Sequence, residues 1–419
     1  MPNTGYKMKI CIVSQSYPFF PGDWRSNMIA SLAEAYVDIG NEVTVFTPFY
    51  SGEVRRNGES SKVKVVEYRY LPCESMHRIG YGNSMKSDLR ISRLTVLLAP
   101  FLIIAGVVKL AGLLRREKYD FLHCHWAVPN TLIALGARWL SRSDAKVLTS
   151  FPGSDVTVIR NTGLLGKLLA AIIAKSDYMS CNSSDLKEEL VKNGLKPENI
   201  DYVVYGADDK KMGASIEKKA AMRHKLGIGN DSLLLLMIGR FIPKKGFSTA
   251  FRALQYILQK HKNVKLAIIG DGPLRNEYVS ILNENGSLDS AIFLGYVNTN
   301  ELVDYYSACD IFLMPSEKNP PDGLNTVVPE AMACGRPIVA SNVGGNDLVV
   351  FDGVNGFLHS EGDHEQLAAQ VNRLIENDGL RVDMGLKSLE LIQTKFNCKT
   401  IAEYYIDKYR GLYGKTHRS

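Results

Sequence analysis

The sequence predicts an α/β protein made of two doubly wound, parallel-sheet domains. Three observations predict it. Short apolar, β-rich runs alternate with stretches of helical spacing. The alternation begins afresh after a polar break near residue 210. At 419 residues the chain also exceeds what one hydrophobic core usually organises. The expected domains are 8–210 and 211–394, with a helix over 395–413 packing back toward the first domain.

The elements follow in order. Lys9 to Ser14 reads as a strand, Tyr17 to Asp23 as a Pro/Gly turn, Ser26 to Gly40 as a helix and Glu42 to Thr47 as a second strand. Further strands are expected at Val63 to Tyr68, Phe121 to Cys124, Lys146 to Thr149, Tyr178 to Cys181 and Tyr202 to Val204. Alternation of this kind implies parallel sheets covered on both faces. Gly206 to Arg223 is polar and reads as a linker or domain edge. A second series follows, with strands at Leu233 to Ile238, Lys265 to Ile269, Ala291 to Leu294, Ile311 to Met314 and Pro337 to Ala340. Helices are expected after Gly246, Pro273, Asn300, Val327 and Asp363, and a last one over Cys398 to Tyr413. Ligands of such sheets bind outside the carboxyl ends of the strands, so the active site is expected between the domains.

Hydrophobic residues make up 45% of the chain and charged residues 22%, the balance of a soluble globular protein. The net charge of +6 is dispersed, without the basic stripe and interleaved aromatics of a nucleic-acid binder. The seven cysteines are odd in number and never form a CxxC pair, so neither zinc nor a disulfide frame is indicated. Met1 to Tyr17 lacks the pattern of a secretory signal, and a cytoplasmic location is expected.

One segment, Leu94 to Leu114, is strongly apolar and bounded by Arg93, Arg115 and Arg116. Pro100, Gly106, Lys109 and Gly112 interrupt it, and its charge-free core is shorter than the roughly twenty residues of a spanning helix. A helix packed on a sheet is the favoured reading. The composition also leaves room for a peripheral contact with the inner membrane face through 94–116, its basic ends on lipid phosphates.

Two motifs carry chemistry. Gly239-Arg240-Phe241-Ile242-Pro243-Lys244-Lys245-Gly246 lies between a strand and a helix, and sets Arg240 and Lys245 at a ligand-facing edge. A diphosphate leaving group gains charge as its glycosidic bond breaks, and preorganised cations stabilise that transition state. A solvated basic turn is the plainer alternative. The second motif runs from Asp322 through Gly323, Leu324, Asn325 and Thr326 to Glu330, with Gly335 closing its helix. Amides at Gly323 to Thr326 would face a phosphate or sugar oxygen, Glu330 would grip ribose hydroxyls and Asp322 the sugar. An acidic pair that merely complements the helix dipole is the plainer alternative here. Gly270-Asp271-Gly272 is half of a dinucleotide fingerprint, without the third glycine or a following acidic residue. No two aspartates are one residue apart, so no metal clamp is indicated.

Taken together, these motifs resemble glycosyltransferase family 4, the group 1 glycosyl transferases of GT-B fold, over nearly the whole chain. The resemblance includes the Lys9 to Gly22 strand and loop, His123-Cys124-His125-Trp126, Gly153-Ser154-Asp155-Val156, Gly206-Ala207-Asp208 and the Arg240/Lys245 pair. It continues through Gly270 to Pro273, Phe293 to Val297, the Glu330 helix and Asp352 to Phe357. It implies two Rossmann-like domains facing a cleft, an acceptor-binding N-terminal half and a nucleotide-sugar-binding C-terminal half. The implied activity is retaining, metal-independent hexosyl transfer (EC 2.4 class) from a nucleotide-diphosphate sugar. The acceptor is a glycan or lipid-linked molecule of surface polysaccharide or glycolipid synthesis, and no cofactor is expected. By the same resemblance Gly239, Arg240 and Lys245 meet the diphosphate, Glu330 the ribose, Tyr296 and Val297 the base, and Asp322 with the amides after it the sugar. Gly22, Asp23, His125 and Asp155 fall on the acceptor side. A buried, satisfied histidine is the plainer reading of either His123 or His125.

The chain departs from the family pattern at Asp322, one methylene shorter than the usual Glu, and at Pro152, Asp23 and Tyr205. Two rival functions therefore stand beside transfer. One is a sugar-nucleotide epimerase or hydrolase of the same fold; the other is a non-catalytic subunit that binds nucleotide-sugar or glycan.

Overall fold

The computed structural model describes residues 7–20, 23, 25–51, 62–77, 79, 85–86, 90–91, 93–229 and 231–416. It divides into two compact units. One comprises Met1–Asn182, Leu186–Val203 and Cys398–Ser419, the other Ser183–Asp185 and Val204–Asn397. The change of unit at 203/204 precedes the expected 210/211, and the last helix counts with the N-terminal unit.

The N-terminal unit runs β1 (Lys9–Val13), α1 (Asn27–Asp38), β2 (Glu42–Pro48), β3 (Lys64–Tyr68), the short pair β4 (Met85–Lys86) and β5 (Arg90–Ile91), and α2 (Arg93–Arg116). It continues β6 (Phe121–His125), α3 (Ala127–Ser141), β7 (Lys146–Phe151), α4 (Ser154–Asn161), α5 (Leu164–Ile173), β8 (Tyr178–Cys181), α6 (Ser184–Lys192) and β9 (Ile200–Tyr202). The order of its seven-stranded sheet is β3-β2-β1-β6-β7-β8-β9, every pairing parallel. Strand order reverses between β1 and β6, which defines a topological switch point. Strands buried on both faces read as near-continuous apolar runs, which is why β1 and β6 were legible from composition.

The C-terminal unit runs α7 (Ile216–Lys225), β10 (Leu233–Ile238), α8 (Phe247–Lys260), β11 (Val264–Ile269), α9 (Arg275–Glu284), β12 (Ala291–Gly295), α10 (Leu302–Ala308) and β13 (Ile311–Met314). Then come α11 (Val327–Ala333), β14 (Ile338–Ser341), β15 (Gly356–His359), α12 (His364–Ile375) and α13 (Asp378–Leu391). Its six-stranded parallel sheet has the order β12-β11-β10-β13-β14-β15, with the switch point between β10 and β13. The core beneath is aromatic: Phe241, Phe247, Phe251 and Tyr278 meet edge to face or tilted.

Helix α14 (Cys398–Thr416) closes the chain on the N-terminal unit, against α1. Its Tyr405 hydroxyl lies 3.0 Å from Ser150 Oγ and 2.9 Å from Ser180 Oγ, and its ring lies 4.3 Å from that of His123. His123 is itself fully buried, with Nδ1 3.0 Å from the Tyr36 hydroxyl and Nε2 2.9 Å from Ser150 Oγ. The plainer reading of a satisfied core histidine is thus the one the structure bears out for His123.

Three local expectations need correction. The stretch read as a linker or domain edge opens the C-terminal unit, as a domain edge, and contains α7, whose polar sequence has no apolar stripe. It is capped by Ser215, which accepts from Lys218 N, and fastened by charge: Arg223 and Lys219 hold Asp310 at 3.0 and 2.9 Å. The ninth strand lies at Ile200–Tyr202 rather than 202–204, and β15 was hidden because its glycine start reads as a turn.

Gly246 joins the 239–245 loop to α8 at φ 62°, a left-handed conformation that favours glycine. A Cβ there would overlap the Pro315 carbonyl oxygen, so only glycine lets this loop reach the end of β13. Gly246→Ala is expected to cost more than about 1 kcal/mol, read as a fall of roughly 2 °C or more in the melting temperature by calorimetry. An unchanged melting temperature would show that the close approach is not maintained.

Candidate active site

The carboxyl end of β10 delivers Gly239 and Arg240, and a single turn of 3₁₀ helix, Pro243–Lys245, then carries two adjacent lysines inward. Both are buried. Across the switch point, the segment after β13 supplies Ser316, Asp322 and Asn325. Lys244 Nζ donates to Asp322 Oδ1 at 3.1 Å and Lys245 Nζ to Asp322 Oδ2 at 2.8 Å, and Lys245 also donates to Asn325 Oδ1. Asn325 Nδ2 in turn donates to Ser316 Oγ at 3.3 Å, and Ser183 Oγ donates to the Asp322 carbonyl at 2.7 Å.

The electrostatics follow from this arrangement. Burial alone would raise the Asp322 carboxyl, but the charges and hydrogen bonds of Lys245 and Lys244 hold it well below the usual carboxylate range. Burial pulls the Lys245 ammonium below the ordinary lysine range; Asp322 resists, while the charges of Lys244 and Arg240 add to the fall. Lys245 is therefore a desolvated cation crowded by two others. An anion brought to it would relieve that repulsion, and a low-dielectric setting strengthens such an attraction. Arg240 itself is exposed.

Glu330 stands in the first turn of α11, partly exposed, and accepts a hydrogen bond from the Tyr306 hydroxyl at 2.8 Å. Burial pushes its carboxyl up to about 7, with the Tyr306 bond working in the opposite direction. The amides of Gly323, Leu324, Asn325 and Thr326 donate to no other group among the described residues. Tyr296 projects, largely exposed, just beyond β12, and Val297 follows it half-buried.

The structure thus brings Lys245, Asp322 and Asn325 into contact and puts Glu330 one helical turn along the same segment. It adds two participants. Lys244 lies inside the quoted motif, next to the lysine that the motif singles out, and turns to the same carboxylate. Tyr306 comes from α10, and nothing in its local sequence marks it as the partner of Glu330.

The residues expected on the acceptor side belong to the N-terminal unit. Gly22 lies outside the described residues. Asp23 is buried and accepts from Phe19 N at 3.0 Å and from Arg25 N and Nε at 3.1 and 2.8 Å. Asp155, at the start of α4, accepts from Ala127 N at 2.7 Å and Gly153 N at 3.2 Å. Burial lifts its carboxyl to about 6. His125 ends β6, fully buried, with burial pulling its imidazole down to about 3, and its ring lies 4.1 Å from that of His123. Asp155 and His125 flank Trp126, whose φ of 59° is unusual for a non-glycine residue and costs about 1 to 3 kcal/mol. Among the described residues, no group of three or more His, Cys, Asp or Glu is placed to hold a metal ion.

Comparison with known proteins identifies the family and the fold. The family model "Glycosyltransferase Family 4" matches residues 26–211, and "Glycosyl transferases group 1" matches residues 218–389. The chain belongs to the group 1, family 4 glycosyltransferases. Among its relatives, an uncharacterized glycosyltransferase of Methanocaldococcus jannaschii is 27% identical over 96% of this chain and 98% of its own. The N-acetyl-alpha-D-glucosaminyl L-malate synthase of Bacillus anthracis is 27% identical over 78% of this chain and 83% of its own. Among solved structures, HepE of Anabaena in complex with UDP and glucose superposes with a TM-score of 0.69 at 20% identity, covering 96% of this chain and all of that one. The fold of this glycosyltransferase is GT-B.

Removing the Asp322 carboxylate leaves two buried ammonium groups without it. Asp322→Asn is expected to destabilise the protein at neutral pH by about 3 to 5 kcal/mol, the scale of breaking a buried pair. Because the folded-state pKa is depressed, this contribution is complete above the ordinary carboxylate range, starts to fall as pH enters that range and is lost only as pH drops through the lower folded-state value. Denaturant titrations of wild type and variant should therefore differ most at neutral pH and draw together progressively as pH falls from about 4 toward the depressed value. A gap independent of pH would show that the pairing does not govern it.

Proposed function

We propose that this glycosyltransferase moves a hexose, with retention of anomeric configuration, from a uridine-diphosphate sugar to a glycan or lipid-linked acceptor of the cell surface. The observation that carries the proposal is the buried Lys245, crowded by Lys244 and Arg240 and oriented by Asp322 and Asn325 at the switch point of the C-terminal sheet. The UDP assignment draws support from the nucleotide found with HepE, a protein of the same fold.

In this reading the donor diphosphate meets Arg240 and Lys245 beside Gly239, which stabilise the negative charge that grows on the leaving phosphate. Fixing Lys245 against Asp322 and Asn325 removes the reorganisation a free lysine would need. The unpartnered amides of Gly323 to Thr326 face the sugar and phosphate oxygens. The Asp322 carboxylate, engaged by two lysines, acts on the sugar through its orientation of this loop as well as by reach. Glu330 takes the ribose hydroxyls, while Tyr296 and Val297 border the base. The protein supplies cations where other enzymes use a metal, and we assign no metal or cofactor to the reaction. On the acceptor side, His125 is neutral at physiological pH, since burial pulls its imidazole to about 3. It fits a role in orienting a hydroxyl rather than carrying charge, with the leaving phosphate taking the proton. Asp23 and Asp155 shape that wall through the backbone amides they hold. In our reading the reaction lies at the cytoplasmic side of a membrane.

Lys245→Ala and Glu330→Ala are each expected to slow transfer from UDP-sugar by at least roughly tenfold. Wild-type rates from both, in a coupled assay for released UDP, would show the site to be elsewhere. Donor incubated without acceptor should turn over slowly; full-rate release of UDP or an epimerised sugar would favour a hydrolase or epimerase.

Glu330 also sets a pH dependence. Its carboxyl is protonated below about pH 7 and ionised above it, and the ionised form is the better acceptor for ribose hydroxyls. UDP-glucose, a diphosphate diester with no proton to lose near neutrality, should therefore bind more tightly as pH rises through that value. Titration calorimetry across this range checks it, and Glu330→Gln should abolish the trend.

A further inference from the structure

The N-terminal unit carries an apolar surface that the donor chemistry does not use. Helices α2, α3 and α5 precede or link successive strands in the order β6, β7, β8. Right-handed crossovers place them on one face of the sheet, opposite α1. The strand residues beneath agree: Leu122 and Cys124 pack with α2 and α3, Met179 and Cys181 with α5.

Each helix has a second, outward side. On α2 the inner residues Leu98, Leu102, Leu110 and Leu114 are buried, whereas Leu97, Phe101, Ile104 and Val108, spaced 4, 3 and 4 apart, are more than half exposed. On α5 Leu164 is 85% exposed, with Leu165 and Leu168 beside it, and at the end of α3 Trp139 is 81% exposed. A soluble monomer rarely leaves so much aliphatic and aromatic surface in water. The stripe on α2 cannot roll inward, because α2 and α3 interlock through glycines. A Cβ at Gly106 would stand 2.8 Å from Ile133 Cδ1, and one at Gly136 2.9 Å from Val107 Cγ2.

Charge selects the occupant. The sequences of α2, α3 and α5 contain no Asp or Glu. Exposed Lys109, Arg115, Arg116 and Lys167 border the apolar residues, and the Arg115 guanidinium donates to the Leu140 carbonyl at 2.7 Å, next to Trp139. A second copy seated symmetrically here would set cations against cations. A helix crossing the membrane would have to surrender the buried half of α2.

We propose that this three-helix face docks on the surface of an anionic lipid bilayer. The outward side chains of α2 and α5 enter the headgroup boundary, Trp139 anchors at the interface and the flanking cations meet lipid phosphates. The inference sharpens the lipid-linked reading of the acceptor, but its test needs neither donor nor acceptor, so the two stand or fall separately.

The test is co-sedimentation of the full chain with phosphatidylcholine vesicles, with and without phosphatidylglycerol. Binding is expected only with the anionic lipid and should weaken as salt is raised. Phe101→Asp with Ile104→Asp, and separately Leu164→Asp with Leu168→Asp, should each weaken it by about tenfold or more, leaving the melting temperature and UDP affinity unchanged. Trp139→Phe should remove most of the blue shift of tryptophan emission on vesicle binding. Equal binding to neutral vesicles, loss from the α2 pair alone, or no binding at all would overturn the proposal. So would a dimer, seen by sedimentation velocity, that the same substitutions dissolve.

Discussion

Two neighbouring lysines held out of water on one carboxylate are the constraint on which the rest of the C-terminal unit depends. A buried ammonium group is costly unless a charged, hydrogen-bonded partner meets it. Lys244 and Lys245 meet Asp322 from opposite oxygens, and this requires the loops after β10 and β13 to close on each other. Gly246 permits that closure at Pro315, Asn325 and Ser316 brace it, and the parallel sheet reverses direction at the same place. Topology, backbone and charge thus converge on one point. The loop that satisfies the lysines runs directly into α11, so pinning Asp322 also sets where Glu330 and the intervening amides stand.

Much of this was legible in the sequence, and the reasons are physical. A strand buried on both faces is a continuous apolar run, so β1, β6, β10 and β13 stood out. Two cations, Arg240 and Lys245, between a strand end and a helix flagged the 239–246 loop. What escaped notice depended on partners distant in sequence. Helix α7 has no apolar stripe and is held by Arg223 and Lys219 on Asp310, which no local pattern reports. Tyr306 reaches Glu330 from another helix. The second lysine was in view, yet only three-dimensional closure shows that both side chains turn to the same carboxylate.

The N-terminal unit uses its polar residues differently. His123, for which a buried, satisfied histidine is the plainer reading of the sequence, is engaged by Tyr36, Ser150 and the ring of Tyr405, and so helps fasten α14 to the sheet. Asp155 spends its oxygens on backbone amides, and Asp23 divides its own between backbone amides and the Arg25 guanidinium, so that each stiffens its turn. The one-methylene shortening at Asp322 makes similar sense, since a carboxylate close to the backbone suits two lysines at about 3 Å. The two units differ accordingly: one concentrates buried charge at its switch point, the other presents rigid turns on one side and an apolar, cationic helical face on another.

The most direct test of this account is a crystal structure with UDP-glucose bound. The account predicts diphosphate oxygens within hydrogen-bonding distance of Lys245 and Arg240, ribose hydroxyls on Glu330, and the Lys245–Asp322 contact retained or lengthened as the anion takes up the ammonium charge. A diphosphate seated away from these side chains, with Lys245 still committed to Asp322 and Asn325 alone, would contradict it.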